Sequence, residues 1–162
     1  GHRSIGDYFK ANPEAAKDYF KFSVVRNPWD RLVSSYHYLM AGGNNSADLE
    51  WAGKNLQVFS TFEEFVINGL SDPEIARWIH FRPQYTFVCN AKRVVQVDYL
   101  ARYESLSEDF KYIQSRLNKS VELPRSNTSV RTDYRSYFTD AMIERVADHY
   151  SRDIGIFGYT FG

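Results

Sequence analysis

An arginine and a serine eight positions apart form the best candidate for anion binding in this sequence. Arg26 follows an apolar run, and the planar guanidinium group of arginine can form paired hydrogen bonds with phosphate oxygens. Ser34 projects roughly opposite the apolar stripe of the segment that follows, at about 100° per helical residue. One phosphate could bridge both side chains. Spacing alone also allows Arg26 to pair with a carboxylate or cap carbonyls, with Ser34 solvated.

The segment around this pair predicts a strand that leads directly into a helix. Tyr19 to Val25 is aromatic and β-branched, which is typical of a buried strand. Asn27 suits a helix cap, Pro28 suits the first helical position, and Gly42-Gly43 ends the helical pattern of apolar residues. We therefore expect an α/β fold with a central parallel sheet flanked by helices. Ligands of such sheets bind beyond the carboxyl ends of the strands, which favours an anion site at the strand end.

Local signals predict the remaining elements. Gly42 to Asn55 is polar and rich in Asn and Gly, so we expect a mobile loop there. Capping boxes predict one helix from Ser60 to about Gly69 and another from Ser105. The other expectations are helices that start at Asp72 and Thr139, a turn at 90–93, extended pieces at 94–97 and 99–103 that form a hairpin or two short strands, a polar loop at 123–135, and an aromatic tail at 155–161.

Composition predicts one globular domain, residues 1–162, because 43% hydrophobic content in a chain of this length can build one core. Twenty basic and twenty acidic residues cancel, which argues against a nucleic acid or an anionic membrane as partner. Cys89 is the single cysteine, and no apolar run reaches the roughly 18 residues of a membrane span. There is no Cys/His cluster or paired carboxylate motif, so no metal is implied.

The run from Phe22 to Tyr36, FSVVRNPWDRLVSSY, resembles a known nucleotide-binding segment. It is similar to the part of Golgi-type carbohydrate sulfotransferases and their bacterial relatives that binds the 3′-phosphate of 3′-phosphoadenosine-5′-phosphosulfate (PAPS). The resemblance implies that Arg26 and Ser34 hold this phosphate. Three later stretches extend it across nearly the whole chain: Arg82-Pro83-Gln84, Val97 to Phe110, and Asp153 to Tyr159.

The resemblance implies two further site residues. In similar glycan sulfotransferases a histidine some twenty residues before the phosphate-binding arginine is the catalytic base, and His2 falls there. A Gly-His start left by a cleaved tag is the other interpretation of His2. Arg131 lies in a loop that often closes over the nucleotide in such enzymes, although an exposed arginine is an equal alternative. His37 is expected at the surface, and neither His80 nor His149 has supporting context.

One departure from the family pattern concerns the donor. Such enzymes carry a loop similar to Lys-Thr-Gly-Thr-Thr or Lys-Cys-Gly-Thr-Ser on the first strand and helix, and its amides and lysine hold the 5′-phosphosulfate. No such run occurs in this sequence. We therefore expect a P-loop-like domain whose first strand, loop and helix are missing from this chain, and which is catalytically incomplete unless an upstream segment supplies them.

The resemblance implies an enzyme that transfers a sulfuryl group from PAPS to a hydroxyl or amine acceptor. The acceptor is a small molecule or a glycan, and a carbohydrate is favoured. A cytoplasmic location is favoured, with the Golgi lumen expected for a eukaryotic source. The rivals are a non-catalytic nucleotide- or anion-binding domain of the same descent, a phosphotransferase that uses ATP, and a structural interaction domain. The sequence contains no Gly-x-x-x-x-Gly-Lys-Ser/Thr motif, which counts against ATP.

Overall fold

The computed structural model describes residues 3–122 and 132–162. The helices are α1 (Ile5–Ala11), α2 (Pro13–Asp18), α3 (Pro28–Met40), α4 (Ser46–Asn55), α5 (Phe62–Asn68), α6 (Pro73–Arg77), α7 (Tyr85–Val88), α8 (Leu106–Leu117), α9 (Asp140–His149) and α10 (Ser151–Phe157). The strands are β1 (Phe22–Val25) and β2 (Tyr99–Arg102), and 3₁₀ turns occupy Gly69–Ser71, Tyr103–Ser105 and Tyr134–Tyr137. In the described part of the chain, no helix is both long and apolar enough to cross a membrane.

The described residues form two compact units, one of residues 3–26 and 83–122 and the other of 27–82 and 132–162. The expectation of one domain stays a prediction. The first unit contains the sheet, in which β1 and β2 run parallel with Phe22 opposite Tyr99 and Val25 opposite Arg102. Helix α8 packs beside β2, and α1 contacts both α2 and α7. Parallel strands need a long crossover, and here the chain between them contains α3 to α7.

The second unit is helical and holds one apolar cluster. Helix α3 supplies one side of this cluster, with Trp29, Leu32, Tyr36 and Leu39 almost fully buried. Aromatic rings fill the space between helices: the ring of Tyr36 stacks on that of Phe65 with centroids 5.0 Å apart. The cluster also includes Ala52, Leu56, Phe65, Val66, Leu70, Ile75, Phe81, Met142, Val146 and Tyr150.

The prediction for α3 is confirmed in its start and its amphipathic pattern. The Asn27 side chain accepts hydrogen bonds from the backbone N–H groups of Trp29 at 3.0 Å and Asp30 at 3.4 Å, with Pro28 at the first helical position. The mixed α/β class with a small parallel sheet is also confirmed. The P-loop-like arrangement stays a prediction.

The expected mobile loop over Gly42 to Asn55 is wrong beyond Asn45, because α4 occupies this segment. Asn45 caps the helix by accepting a hydrogen bond from the backbone N–H of Asp48 at 2.9 Å. The buried residues of α4 are Asp48 and Ala52, a carboxylate and a methyl group. A buried face of this kind produces no hydrophobic periodicity, so the helix was hidden from the sequence pattern.

Several boundaries also differ from the predictions. Helix α5 is capped by Thr61 rather than Ser60, and Ser105 makes no capping hydrogen bond to α8. The aromatic tail begins later than Gly155, since α10 continues to Phe157 and ends at Gly158. At φ = 68°, Gly158 adopts the left-handed conformation that often terminates helices. The extended piece at 99–103 becomes β2 and pairs with β1, so it is not half of a hairpin.

Candidate functional site

Arg26 and Tyr103 lie side by side at the carboxyl edge of the sheet. The register pairs Val25 with Arg102, and each strand ends at that residue. Arg26 and Tyr103 are therefore the next residue on each chain segment. The Arg26 guanidinium carbon lies 3.9 Å from the centroid of the Tyr103 ring, well within the distance of a cation–π contact. The positive charge of Arg26 thus lies at the carboxyl ends of the strands, the edge at which open α/β sheets generally bind ligands.

The side chain of Gln84 binds the backbone of Arg26 on both sides. The Arg26 N–H donates to Oε1 of Gln84 at 2.9 Å, and Nε2 of Gln84 donates to the Arg26 carbonyl oxygen at 2.8 Å. Gln84 directly precedes α7 and is only 8% exposed. The carboxamide thereby continues the hydrogen bonding of β1 for one residue beyond its pairing with β2.

Asp109 of α8 stabilises the β2 side of the same carboxyl edge. Its carboxylate accepts hydrogen bonds from the Arg102 backbone N–H at 2.6 Å, the Tyr99 hydroxyl at 2.7 Å and the Ser105 hydroxyl at 3.0 Å. The hydrogen bond from Arg102, followed by that from Tyr99, holds the pKa of Asp109 below its ordinary value. The carboxylate therefore joins the end of β2 to the first turns of α8.

Ser34 lies in the second turn of α3, in the second compact unit, and is partly buried. Arg26 belongs to the first unit, so the pairing of the two side chains on one phosphate stays a prediction. Arg31 of α3 is partly buried, and its Nη2 donates to the Ile79 carbonyl oxygen at 3.4 Å.

A polar cluster of Tyr38, Asn45, Asp48 and His80 lies within the second unit. Tyr38 is one helical turn beyond Ser34 on α3, and its hydroxyl donates to Oδ2 of Asp48 at 3.2 Å. Nδ2 of Asn45 donates to the same oxygen at 2.8 Å, and Nε2 of His80 lies 3.4 Å from Oδ1. His80 therefore has a buried carboxylate as neighbour, which no local sequence signal indicated.

Two predicted site residues, His2 and Arg131, lie outside the described residues. Their proposed roles stay predictions. His37 is exposed, in agreement with the sequence. Across residues 3–122 and 132–162, no group of three or more His, Cys, Asp or Glu side chains is arranged to hold a metal ion.

Comparison with known proteins assigns the chain to a family. The model of the sulfotransferase family matches residues 2–160. The chain belongs to the sulfotransferase family. An uncharacterized protein of Archaeoglobus fulgidus is 31% identical over 121 residues, which cover 72% of this chain and 83% of the relative. No solved structure matches the chain significantly.

Membership in the sulfotransferase family supports sulfuryl transfer as the general chemistry of the chain. The sequence resemblance implies a phosphate-binding role for Arg26, and the structure places this residue at the carboxyl edge of the sheet, beside Tyr103. Gln84 and Tyr103 lie in stretches that resemble the family, but the resemblance implies no role for either residue. Their contacts with Arg26 depend on chain segments far apart in the sequence, so spacing gave no signal for them.

Proposed function

We propose that this chain binds PAPS and takes part in sulfuryl transfer to a hydroxyl or amine acceptor, most suitably on a carbohydrate. Family membership supports the reaction class. The observation that supports PAPS as the donor is the position of Arg26, whose guanidinium extends from the carboxyl edge of a parallel sheet over an aromatic ring. A planar guanidinium suits phosphate because it offers several N–H donors in a fixed fork.

In this proposal Arg26 and Ser34 bind the 3′-phosphate of the donor. The guanidinium supplies charge-assisted hydrogen bonds and the Ser34 hydroxyl supplies a further one. The stacking on Tyr103 does not conflict with this role, because a ring contacts the face of a guanidinium whereas its N–H groups point outward in the plane. The 3′-phosphate would thus distinguish PAPS from ATP, which carries no phosphate at that position.

The transfer itself would be an in-line displacement. The acceptor oxygen or nitrogen forms a bond to sulfur, the bond between sulfur and the bridging phosphate oxygen breaks, and 3′-phosphoadenosine-5′-phosphate (PAP) leaves. We propose His2 as the base that takes the acceptor proton, and Arg131 as a further contact to the nucleotide. The sequence has no Lys-Thr-Gly-Thr-like loop to stabilise the leaving phosphate. The alternative function is nucleotide binding without catalysis.

Isothermal titration calorimetry with PAP, 5′-AMP and ATP tests the donor proposal. We expect PAP to bind about 100-fold more tightly than 5′-AMP, and Arg26→Ala to remove this preference, because charge-assisted hydrogen bonds contribute about 1.5–3 kcal/mol each. Arg116→Ala is a matched control, since Arg116 of the same unit also stacks on a ring, 5.0 Å from the centroid of Phe20. Equal binding of the three nucleotides, or none, would refute the proposal.

Catalysis and binding are separated by a transfer assay. Labelled PAPS is incubated with the chain and a panel of glycans, amines and small alcohols, and labelled product is measured. Product formation that is lost in Arg26→Ala supports the enzyme. Selective PAP binding with no product from any acceptor supports the non-catalytic binding domain.

A further inference from the structure

The side chain of Gln84 forms hydrogen bonds with both backbone groups of Arg26. Beyond Val25 the β1 backbone has no opposite residue on β2, because β2 ends at Arg102. Backbone N–H and C=O groups that leave water need partners, and the Gln84 carboxamide supplies one to each group of Arg26, at 2.9 Å and 2.8 Å. A side chain thereby replaces the missing strand at one residue.

This paired contact determines where the Arg26 side chain points. Hydrogen bonds to the N–H and the C=O of one residue restrain the peptide planes on both sides of its Cα atom. Those planes set φ and ψ, and with them the direction of the Cα–Cβ bond and the accessible rotamers. With its backbone fixed, the guanidinium reaches the face of Tyr103 at 3.9 Å.

The support behind Gln84 is itself rigid. Pro83 precedes it and fixes its own φ angle, and the hydroxyl of Thr86 donates to the Pro83 carbonyl oxygen at 2.6 Å. Helix α7 follows directly and packs against α1. A buried amide on such a support holds its partner within a narrow range of positions, as binding sites for small anions require.

We infer that Gln84 is a positioning residue for the 3′-phosphate subsite. It fixes the backbone of Arg26, so that the guanidinium stays against the Tyr103 ring and is oriented to bind the phosphate. This inference rests on the proposed function. It assigns Gln84 a share of the selectivity for nucleotides that carry a 3′-phosphate, although Gln84 itself does not touch the ligand.

The test measures nucleotide selectivity in Gln84→Met, which keeps the volume of the side chain and removes both hydrogen bonds. We expect the affinity for PAP to fall about tenfold while that for 5′-AMP stays within about twofold, because only the 3′-phosphate depends on Arg26. In the Arg26→Ala background, Gln84→Met should cause no further loss. Thr86→Val is the matched control: it removes a hydrogen bond in the same segment and should leave the ratio of the two affinities unchanged.

A second measurement needs no nucleotide. The Tyr103 ring should shift the NMR signals of the Arg26 side chain upfield, and Gln84→Met should reduce that shift whereas Thr86→Val should not. Gln84→Glu is a second variant: it keeps the acceptor for the Arg26 N–H, replaces the donor to the Arg26 carbonyl oxygen by a carboxylate oxygen, and adds a negative charge. An unchanged shift and an unchanged ratio of affinities in both Gln84 variants would overturn the inference.

The outcomes separate the inference from the proposed function. If Arg26→Ala abolishes the preference for PAP and the Gln84 variants do not lower it, Gln84 is not a positioning residue and the proposed function stands. If the wild-type chain shows no preference for PAP, the proposed function fails and the 3′-phosphate role of Gln84 fails with it. The NMR shift then still shows whether Gln84 orients Arg26.

Discussion

Gly43 and Asp48 are packed so closely that no side chain fits between them. A Cβ atom placed on Gly43 would lie 2.4 Å from the Cβ atom of Asp48 and 2.9 Å from its Oδ2 atom. Gly43 has a φ angle of 63°, which only glycine adopts without strain. The turn between α3 and α4 therefore depends on the absence of a side chain at this position, and it brings Asp48 to Tyr38 and Asn45.

We expect Gly43→Ala to lower the free energy of unfolding by about 2–4 kcal/mol, from left-handed strain and from the clash with Asp48. Chemical denaturation measures the change. Gly53→Ala is the matched control, because Gly53 lies within α4, and among the described residues no side chain or other segment comes within 4 Å of its added Cβ. This control should instead stabilise the chain by about 0.5–1 kcal/mol, since alanine has the higher helix propensity. Equal effects of both substitutions would contradict the close packing.

A second prediction concerns Asn27, which caps α3 and also holds the C-terminal segment of the same unit. Its Oδ1 accepts from the first turn of α3, and its Nδ2 donates to the Thr160 carbonyl oxygen at 2.8 Å and lies 3.4 Å from the Tyr134 hydroxyl. Asn27 is only 7% exposed. Asn27→Ala should therefore lower the free energy of unfolding by about 2–3 kcal/mol, from a lost cap and a lost buried hydrogen bond.

Asn27→Asp separates the two roles. Aspartate keeps the acceptor that caps the helix but turns a carboxylate oxygen toward the Thr160 carbonyl in place of a donor. We expect a loss of about 1–2 kcal/mol in thermal or denaturant unfolding at pH 7. If aspartate proves as stable as asparagine, the contact with Thr160 contributes nothing and Asn27 acts as a cap alone.

The start of α3 was predictable from sequence because its signals are local. An Asn-Pro pair after an apolar run specifies cap, first turn and strand end within a few residues, and the structure places all three as expected. Helix α4 was not predictable, because its buried face is formed by Asp48 and Ala52. Burial of a carboxylate depends on partners supplied by other segments, here Tyr38 and His80.

In the candidate site, too, one residue was predictable from the sequence and its partners were not. Arg26 could be chosen from its place at a strand end and from the family resemblance. Gln84 binds it from a position 58 residues away, and Tyr103 reaches it only through the register of β1 with β2. No periodic pattern in the sequence predicts either contact, because strand pairing and long-range side-chain contacts are set by the packing of the whole unit.

A third prediction follows from His149, whose pKa lies below its ordinary value mainly because the ring is buried, and also because of the charge of Arg145. Within the described residues its Nε2 atom has no hydrogen-bond partner, while the ring also bonds the Phe81 carbonyl oxygen. The unfolded chain therefore binds a proton more readily than the folded chain. Stability should fall as the pH drops through about 6.5, the ordinary pKa of histidine, toward the lower pKa of the folded state.

Denaturant unfolding between pH 7.5 and about 5 measures this effect. His149→Phe, which keeps an aromatic ring and cannot take up a proton, should show a shallower fall in stability over this range. Carboxylates with lowered pKa values, such as Asp98 and Asp109, titrate below this window. A slope identical to that of the wild type in His149→Phe would show that the buried imidazole is not its source.

The fourth prediction concerns Asp109, which accepts three hydrogen bonds at the edge that carries Arg26 and Tyr103. Its pKa is lowered in the folded state, so its contribution is fully present above the ordinary value of 3.8 and is lost as the pH falls through the lower folded value. Asp109→Asn should lower the free energy of unfolding by about 1–2 kcal/mol at pH 7, and the difference should disappear in strong acid, where the wild-type carboxyl is also neutral. Asp133→Asn is a suitable comparison, because Asp133 also has a lowered pKa but is exposed, and its carboxylate bonds Arg135, two residues away. Its substitution should change stability little, since a local pair at the surface joins no separate elements. An Asp109→Asn penalty that persists unchanged in acid would mean that the loss comes from altered packing and not from the charged hydrogen bonds between β2 and α8.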